Sequence, residues 1–251
     1  MNKVGLVQKD HDYFVPDLYE CYEKGEGPGS PTWDRIFRDV KIRRGCPPIR
    51  FIGVWDTVGA LGAPGLLGQL FNKNKYRYHD VTLNANIKNA YHALAIDERR
   101  KPFAPNVWTR PKDWGGTLQQ AWFPGVHSNV GGGYSPDGLA NEALHWIVEK
   151  AEANDLEFDN DYLVHFRNCF NSVLNDSMTL FYRTMGQFVR PIGEHMTNDE
   201  CVHKSAMDRM NLAQCQYQPE NLLGFLRRNG TVRPAVTTRV PTGVPCPPLT
   251  T

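Results

Sequence analysis

Two short stretches carry residues able to do acid–base chemistry in places suited to it. Asp56 directly follows the apolar run Arg50-Phe-Ile-Gly-Val-Trp55, within Val54-Trp-Asp-Thr-Val-Gly59. In open parallel sheets, functional groups sit just beyond the carboxyl ends of strands. A carboxylate there can accept a hydrogen bond from an imidazole; it can equally cap its own turn through neighbouring N–H groups. His127 lies in Trp122-Phe-Pro-Gly-Val-His-Ser-Asn-Val-Gly-Gly-Gly-Tyr134, again just after an apolar run. The consecutive glycines allow tight turns and close backbone approach. The histidine could serve as a general base, or bond a local carbonyl as an ordinary loop residue. The order of the two is the stronger signal. An acid after one strand and a histidine after a later one match the last two members of the hydrolase order Ser, Asp, His.

Other chemistries find less support. The glycine run lacks both the Lys-Ser/Thr of a P-loop and the G-x-G-x-x-G spacing, so a phosphate cradle is not expected. His11, His79, His145, His165, His195 and His203 show no ligand pairing at i, i+4, and no cysteine pair has zinc spacing. No metal and no cofactor is predicted.

The elements that must position Asp56 and His127 come from periodicity. Short helices are predicted at Pro16 to Tyr22 and Trp33 to Asp39, and a buried strand at Arg50 to Trp55. Thr57 to Leu70 reads as a Gly- and Leu-rich loop whose segment Leu61 to Leu67 could touch acyl chains or pack beneath a cap. Leu83 to Arg100 places Ile87, Ala90, Tyr91, Leu94 and Ala95 on one helical face, and Pro102 ends it. On that helix His92 and Asp97 to Arg100 would form a helix-end salt-bridge cluster. Strands are predicted at Asn106 to Thr109 and Leu118 to Phe123, a loop at Gly125 to Gly133, and helices at Leu139 to Asn154 and Asp161 to Asn175. The tail, residues 229–251, is expected to be disordered. Strands alternating with helices imply an α/β fold with a parallel sheet. About three strands is few for a complete domain of that kind.

Composition narrows the class only slightly. The 251 residues carry a net charge of +1, with 41% hydrophobic and 22% charged residues. Such a balance argues against a nucleic-acid partner, which selects for a basic stripe. The N-terminus has no apolar signal-peptide core, and no run of about 20 apolar residues could span a membrane. The six scattered cysteines read as free thiols of a reducing compartment.

Three motifs, Phe51 to Ala60, Tyr91 to Arg100 and Trp122 to Tyr134, occur in order and together resemble the DUF2235 α/β-hydrolase family. That bacterial family includes the type VI secretion lipase effectors of the Tle1 group. Val173-Leu-Asn-Asp-Ser177 and the stretch from His203 to Leu222 are also similar. The resemblance implies a serine ester hydrolase with a lipid or other ester substrate, type VI secretion partners, and residues 1–228 as one α/β-hydrolase portion. It further implies a cytoplasmic protein exported without a signal peptide. By position, Asp56 and His127 are the acid and histidine of the family's triad. Asn129 stands where many relatives have Asp.

The chain departs from the family at the nucleophile. It contains no G-x-S-x-G, and Met1-Asn-Lys-Val-Gly-Leu-Val7 resembles the segment after the nucleophile helix in relatives. The expectation is a partial α/β-hydrolase fold, N-terminally truncated, inactive alone and poorly soluble through an open sheet edge. Two alternatives are a non-catalytic pseudoenzyme or binding module, and a separate polypeptide that supplies the missing strands and serine.

Overall fold

In a computed structural model, the described residues are 6–7, 9–27, 29–38, 42–43, 47–58, 82–194, 199–230 and 234–237. They fall into two units, residues 1–49 and 50–251. The expected apolar loop at 57–70 lies outside the described residues from position 59 onward.

In the first unit, β1 (Leu6–Val7) and β2 (Ile42–Arg43) pair antiparallel. Helix α1 (Val15–Glu23) opens with Pro16 in its first turn, where a missing N–H costs nothing. Helix α2 (Pro31–Ile36) is capped by Ser30, whose Oγ accepts from Trp33 N at 3.2 Å. The two helices bury Leu18 and Cys21 against Trp33 and Phe37.

The second unit is built on an all-parallel sheet of β3 (Ile52–Trp55), β4 (Asn89–Ala95), β5 (Thr117–Phe123) and β6 (Glu200–Val202), in that spatial order. Register aligns Gly53 with Tyr91, and Ala93 with Ala121. Because the strands are parallel, the residues just past each one gather at a single edge. Alternation sends Tyr91, Ala93, Ala95, Ala121 and Phe123 to one face and Leu94 and Trp122 to the other. After β5 come α3 (His127–Gly131) and the long α4 (Gly138–Glu152). Trp146 of α4 meets Tyr91 and Phe123 edge-on, with centroids 5.9 and 5.6 Å apart. Each large apolar side chain buried there contributes about 1.5–3 kcal/mol. Gly53 admits α4 closely: a Cβ at this position would lie 2.9 Å from Ile147 Cγ2. The opposite face is covered in part by α7 (Lys204–Asn211) and α8 (Glu220–Asn229), with Ala206, Leu222 and Phe225 buried against Leu94 and Trp122. Between α4 and β6 lie α5 (Asn160–Leu163) and α6 (Leu180–Thr184).

Several expectations are corrected. The segment predicted as a helix over 83–100 contains β4. Its run Ala-Tyr-His-Ala-Leu-Ala is apolar enough to satisfy a helical stripe, yet every one of these residues is buried, which a strand covered on both faces demands. No strand forms at 106–109; Trp108 instead gives its N–H and C=O to the side-chain amide of Gln120 (2.8 and 3.0 Å). Gly125 to Gly133, read as a loop, contains α3. Of the helix expected at 161–175, only the first three residues, the end of α5, are helical. Within the tail expected to be disordered, Ala235 is buried and donates to Val202 O at 2.8 Å. Cys21, Cys201 and Cys215 are free thiols, but Cys169 is disulfide-bonded, a pairing that spacing between distant cysteines does not reveal.

Candidate active site

β3 ends because Asp56 turns the chain out of it. Its φ of 42° is left-handed, a conformation aspartate tolerates better than most residues. Asp56 N donates to Ala93 O at 2.7 Å, and Oδ1 accepts from Ala95 N at 2.8 Å, so backbone and carboxylate are both tied to the end of β4. The next residue is held from below. Thr57 N donates to Nε2 of His92 at 3.1 Å, while His92 Nδ1 faces Gln120 Oε1 at 3.4 Å. Burial pushes His92 down to about 4, which leaves Nε2 unprotonated and able to accept. His92 therefore braces a turn from the interior of β4 and is not part of a helix-end charge cluster.

His127 is held just as firmly through its backbone. After β5, Gly125 adopts φ 117°, and a Cβ on it would lie 2.4 Å from Asn129 Cβ. Gly125 N donates to Asp97 Oδ2 at 2.6 Å, and His127 N to Glu98 Oε2 at 3.2 Å. Asn129 Oδ1 accepts from Val126 N and Asn175 N, at 3.3 and 3.1 Å, so this buried amide fastens α3 to the segment around Asn175. Glu98 is itself gripped by Arg100 through Nε and Nη2 (3.0 and 2.9 Å) and by Ser177 Oγ (3.0 Å). The salt bridge expected in this stretch exists, but on the loop after β4.

These two constructions bring His127 Nδ1 to 2.7 Å from Asp56 Oδ2. The carboxylate is fully buried, while the imidazole side chain is 30% exposed. Burial would raise the Asp56 carboxyl, but the Arg190 guanidinium and the bonds from His127, Arg190 and Ala95 outweigh it and lower it to about 2. An ionised carboxylate only accepts, so the imidazole proton sits on Nδ1 and Nε2 is left as the available base. The edge of Phe103 flanks the ring at 5.2 Å.

Arg190 is the residue that reading the sequence misses. It belongs to none of the three motifs, and its bond to Asp56 spans 134 positions. Among the described residues, no group of three or more His, Cys, Asp or Glu side chains is placed to hold a metal ion. His79 and His195 lie outside the described residues.

The three motifs thus meet as three strand ends. Residues 1–150, which include Asp56 and His127, match the family described as T6SS, phospholipase effector Tle1-like, catalytic domain. The chain belongs to this family. No curated protein and no solved structure matches the Tle1-like chain. No helix among its described residues is long and apolar enough to cross a membrane.

Proposed function

We propose that this Tle1-like chain supplies the acid and base of a Ser-Asp-His hydrolase that cleaves phospholipid acyl esters, with the attacking serine coming from outside these 251 residues. The observation that supports this reading most directly is the 2.7 Å bond from His127 Nδ1 to a buried carboxylate, which leaves Nε2 as the available base on a side chain that is 30% exposed. The sequence has no G-x-S-x-G. His127 Nε2 takes the serine proton as the hydroxyl oxygen attacks the ester carbonyl carbon. Asp56 remains ionised, fixes the tautomer and stabilises the imidazolium. The proton then passes to the departing lysophospholipid alkoxide, and water, activated by the same nitrogen, releases the fatty acid from the acyl-enzyme. Without a nucleophile the chain does not turn over; loss of a triad serine costs about a million-fold in kcat in a subtilisin. Membership of a type VI effector family makes export without a signal peptide part of the same proposal.

The test is complementation. The chain is assayed for fatty-acid release from phospholipid vesicles, alone and joined to a strand–G-x-S-x-G–helix segment from another family member. Background activity alone and turnover on joining are expected, with turnover lost in His127→Ala. Joined protein that folds, contains the serine and still releases no fatty acid would sink the reading.

A further inference from the structure

The Asp56–His127 pair has a third member inside the protein. Arg190 is fully buried, as is Asp56, and its two terminal nitrogens divide between the two carboxylate oxygens: Nη1 to Oδ1 at 2.5 Å and Nη2 to Oδ2 at 3.0 Å. The same nitrogens donate to Ala95 O at 2.8 Å and Phe103 O at 2.6 Å. The fork therefore locks together the ends of β3 and β4 and the segment carrying Phe103, whose ring flanks His127. Nε, also buried, has no partner among the described residues, so the guanidinium is held through its terminal nitrogens alone.

The neighbouring charges are satisfied elsewhere. Glu98 is neutralised by Arg100, which also lies 3.5 Å over the Phe103 ring and 5.0 Å from that of Tyr182 on α6. Asp97 accepts from Gly125 N and from the Tyr217 hydroxyl at 2.9 Å. His92 is kept neutral by burial. Among the described residues, Arg190 is the only arginine or lysine bonded to Asp56. A buried carboxylate without a cation would take up a proton, and a protonated acid no longer compels the imidazole to carry its own proton on Nδ1.

We infer that Arg190 is a positioning residue: by holding both Asp56 oxygens it keeps the carboxylate ionised and aimed, and so fixes His127 as the tautomer with a bare Nε2. The inference rests on the hydrolase reading for its significance, but its test needs neither serine nor substrate. The full 251-residue chain, isotopically labelled, is followed by NMR at the Asp56 carboxyl carbon and the His127 ring nitrogens. In the wild type the carboxyl should stay ionised throughout the acid range in which the chain remains folded, with the Nδ1–H tautomer dominant at neutral pH. In Arg190→Met the carboxyl midpoint should rise by about one unit or more, roughly a tenfold gain in proton affinity, and His127 should become a tautomer mixture. Arg190→Lys keeps a cation that cannot grip both oxygens, so Asp56 stays largely ionised while the tautomers still mix. Should the methionine variant not fold, the lysine variant decides by the tautomer ratio. A folded variant whose only change is a lower unfolding temperature, with His127 still on Nδ1–H, would make Arg190 a structural ion pair and overturn the inference. Failure of the complementation assay leaves this titration unaffected, and a negative titration leaves the hydrolase reading standing.

Discussion

His127 and His203 both lie at the same edge of the parallel sheet, His127 four residues past the end of β5 and His203 directly after β6, and their surroundings have made different residues of them. His127 meets a carboxylate on one nitrogen, and its side chain remains partly exposed. His203 is 2% exposed and stacks on Phe123 with centroids 4.3 Å apart. Its Nδ1 accepts from Ser205 Oγ at 2.8 Å and from Ser205 N at 3.2 Å, while Nε2 faces Thr237 Oγ1 at 2.9 Å. A histidine bonded to a serine hydroxyl resembles a catalytic dyad, but among the described residues no carboxylate bonds this one, and both its nitrogens are engaged in the interior. Burial, with Lys150 and Lys204 adding to it, pushes it down to about 3, so it stays neutral and caps α7. A carboxylate and access, not a neighbouring serine, make a histidine a base.

The contrast breaks most sharply by substitution. In the complemented hydrolase, His127→Ala should lower kcat by about 10⁶-fold and Asp56→Asn by about 10⁴-fold, whereas folded His203→Asn should stay within about threefold of wild type. Fatty-acid release measures both; equal losses would erase the distinction.

Acid should strike the buried histidines first. His92 and His203 bind protons at about 4 and 3 when folded, against 6.5 in the free side chain. As pH falls below 6.5 the unfolded chain takes up protons that the folded chain refuses, so stability declines until the folded values are reached. The full loss is about 3 kcal/mol from His92 and about 5 kcal/mol from His203. Asp56 acts in a lower window: its stabilisation is intact above 3.8 and is lost as pH falls towards 2. Unfolding temperature measured from pH 7 to 3 should therefore fall steadily, and His203→Gln, if folded, should flatten that limb.

Gly125→Ala tests how His127 is placed. The added methyl meets Asn129 in a left-handed turn, and a loss of about 2–3 kcal/mol is expected in urea unfolding. The smallest effect concerns the brace: Ser205→Ala removes one hydrogen bond to His203, for about 1 kcal/mol and no change in hydrolysis.

The placement of Asp56 and His127 is legible in the sequence because each comes after an apolar run whose length and composition favour a buried strand, and chain order supplies the rest. β4 is not, because alanine-rich runs such as Ala90 to Ala95 fit a helical stripe as well as a strand covered on both faces; only tertiary burial decides. His92 is misplaced with it. Arg190 leaves no local trace, since its meaning depends on a partner far away in the chain. His203 and Ser205 are visible as residues, but their role depends on burial under Phe123 and on Thr237 closing the second nitrogen.

The left-handed backbone at Asp56 has a consequence for what evolution or a mutagenesis library could place there. Two independent filters operate on one codon. Glycine and asparagine pass the conformational filter, glutamate passes the charge filter, and aspartate passes both. Saturation of position 56 in the complemented hydrolase should accordingly yield inactive proteins from both groups: asparagine keeps the turn but loses the charge, glycine also strands the buried Arg190 cation, and glutamate strains the turn.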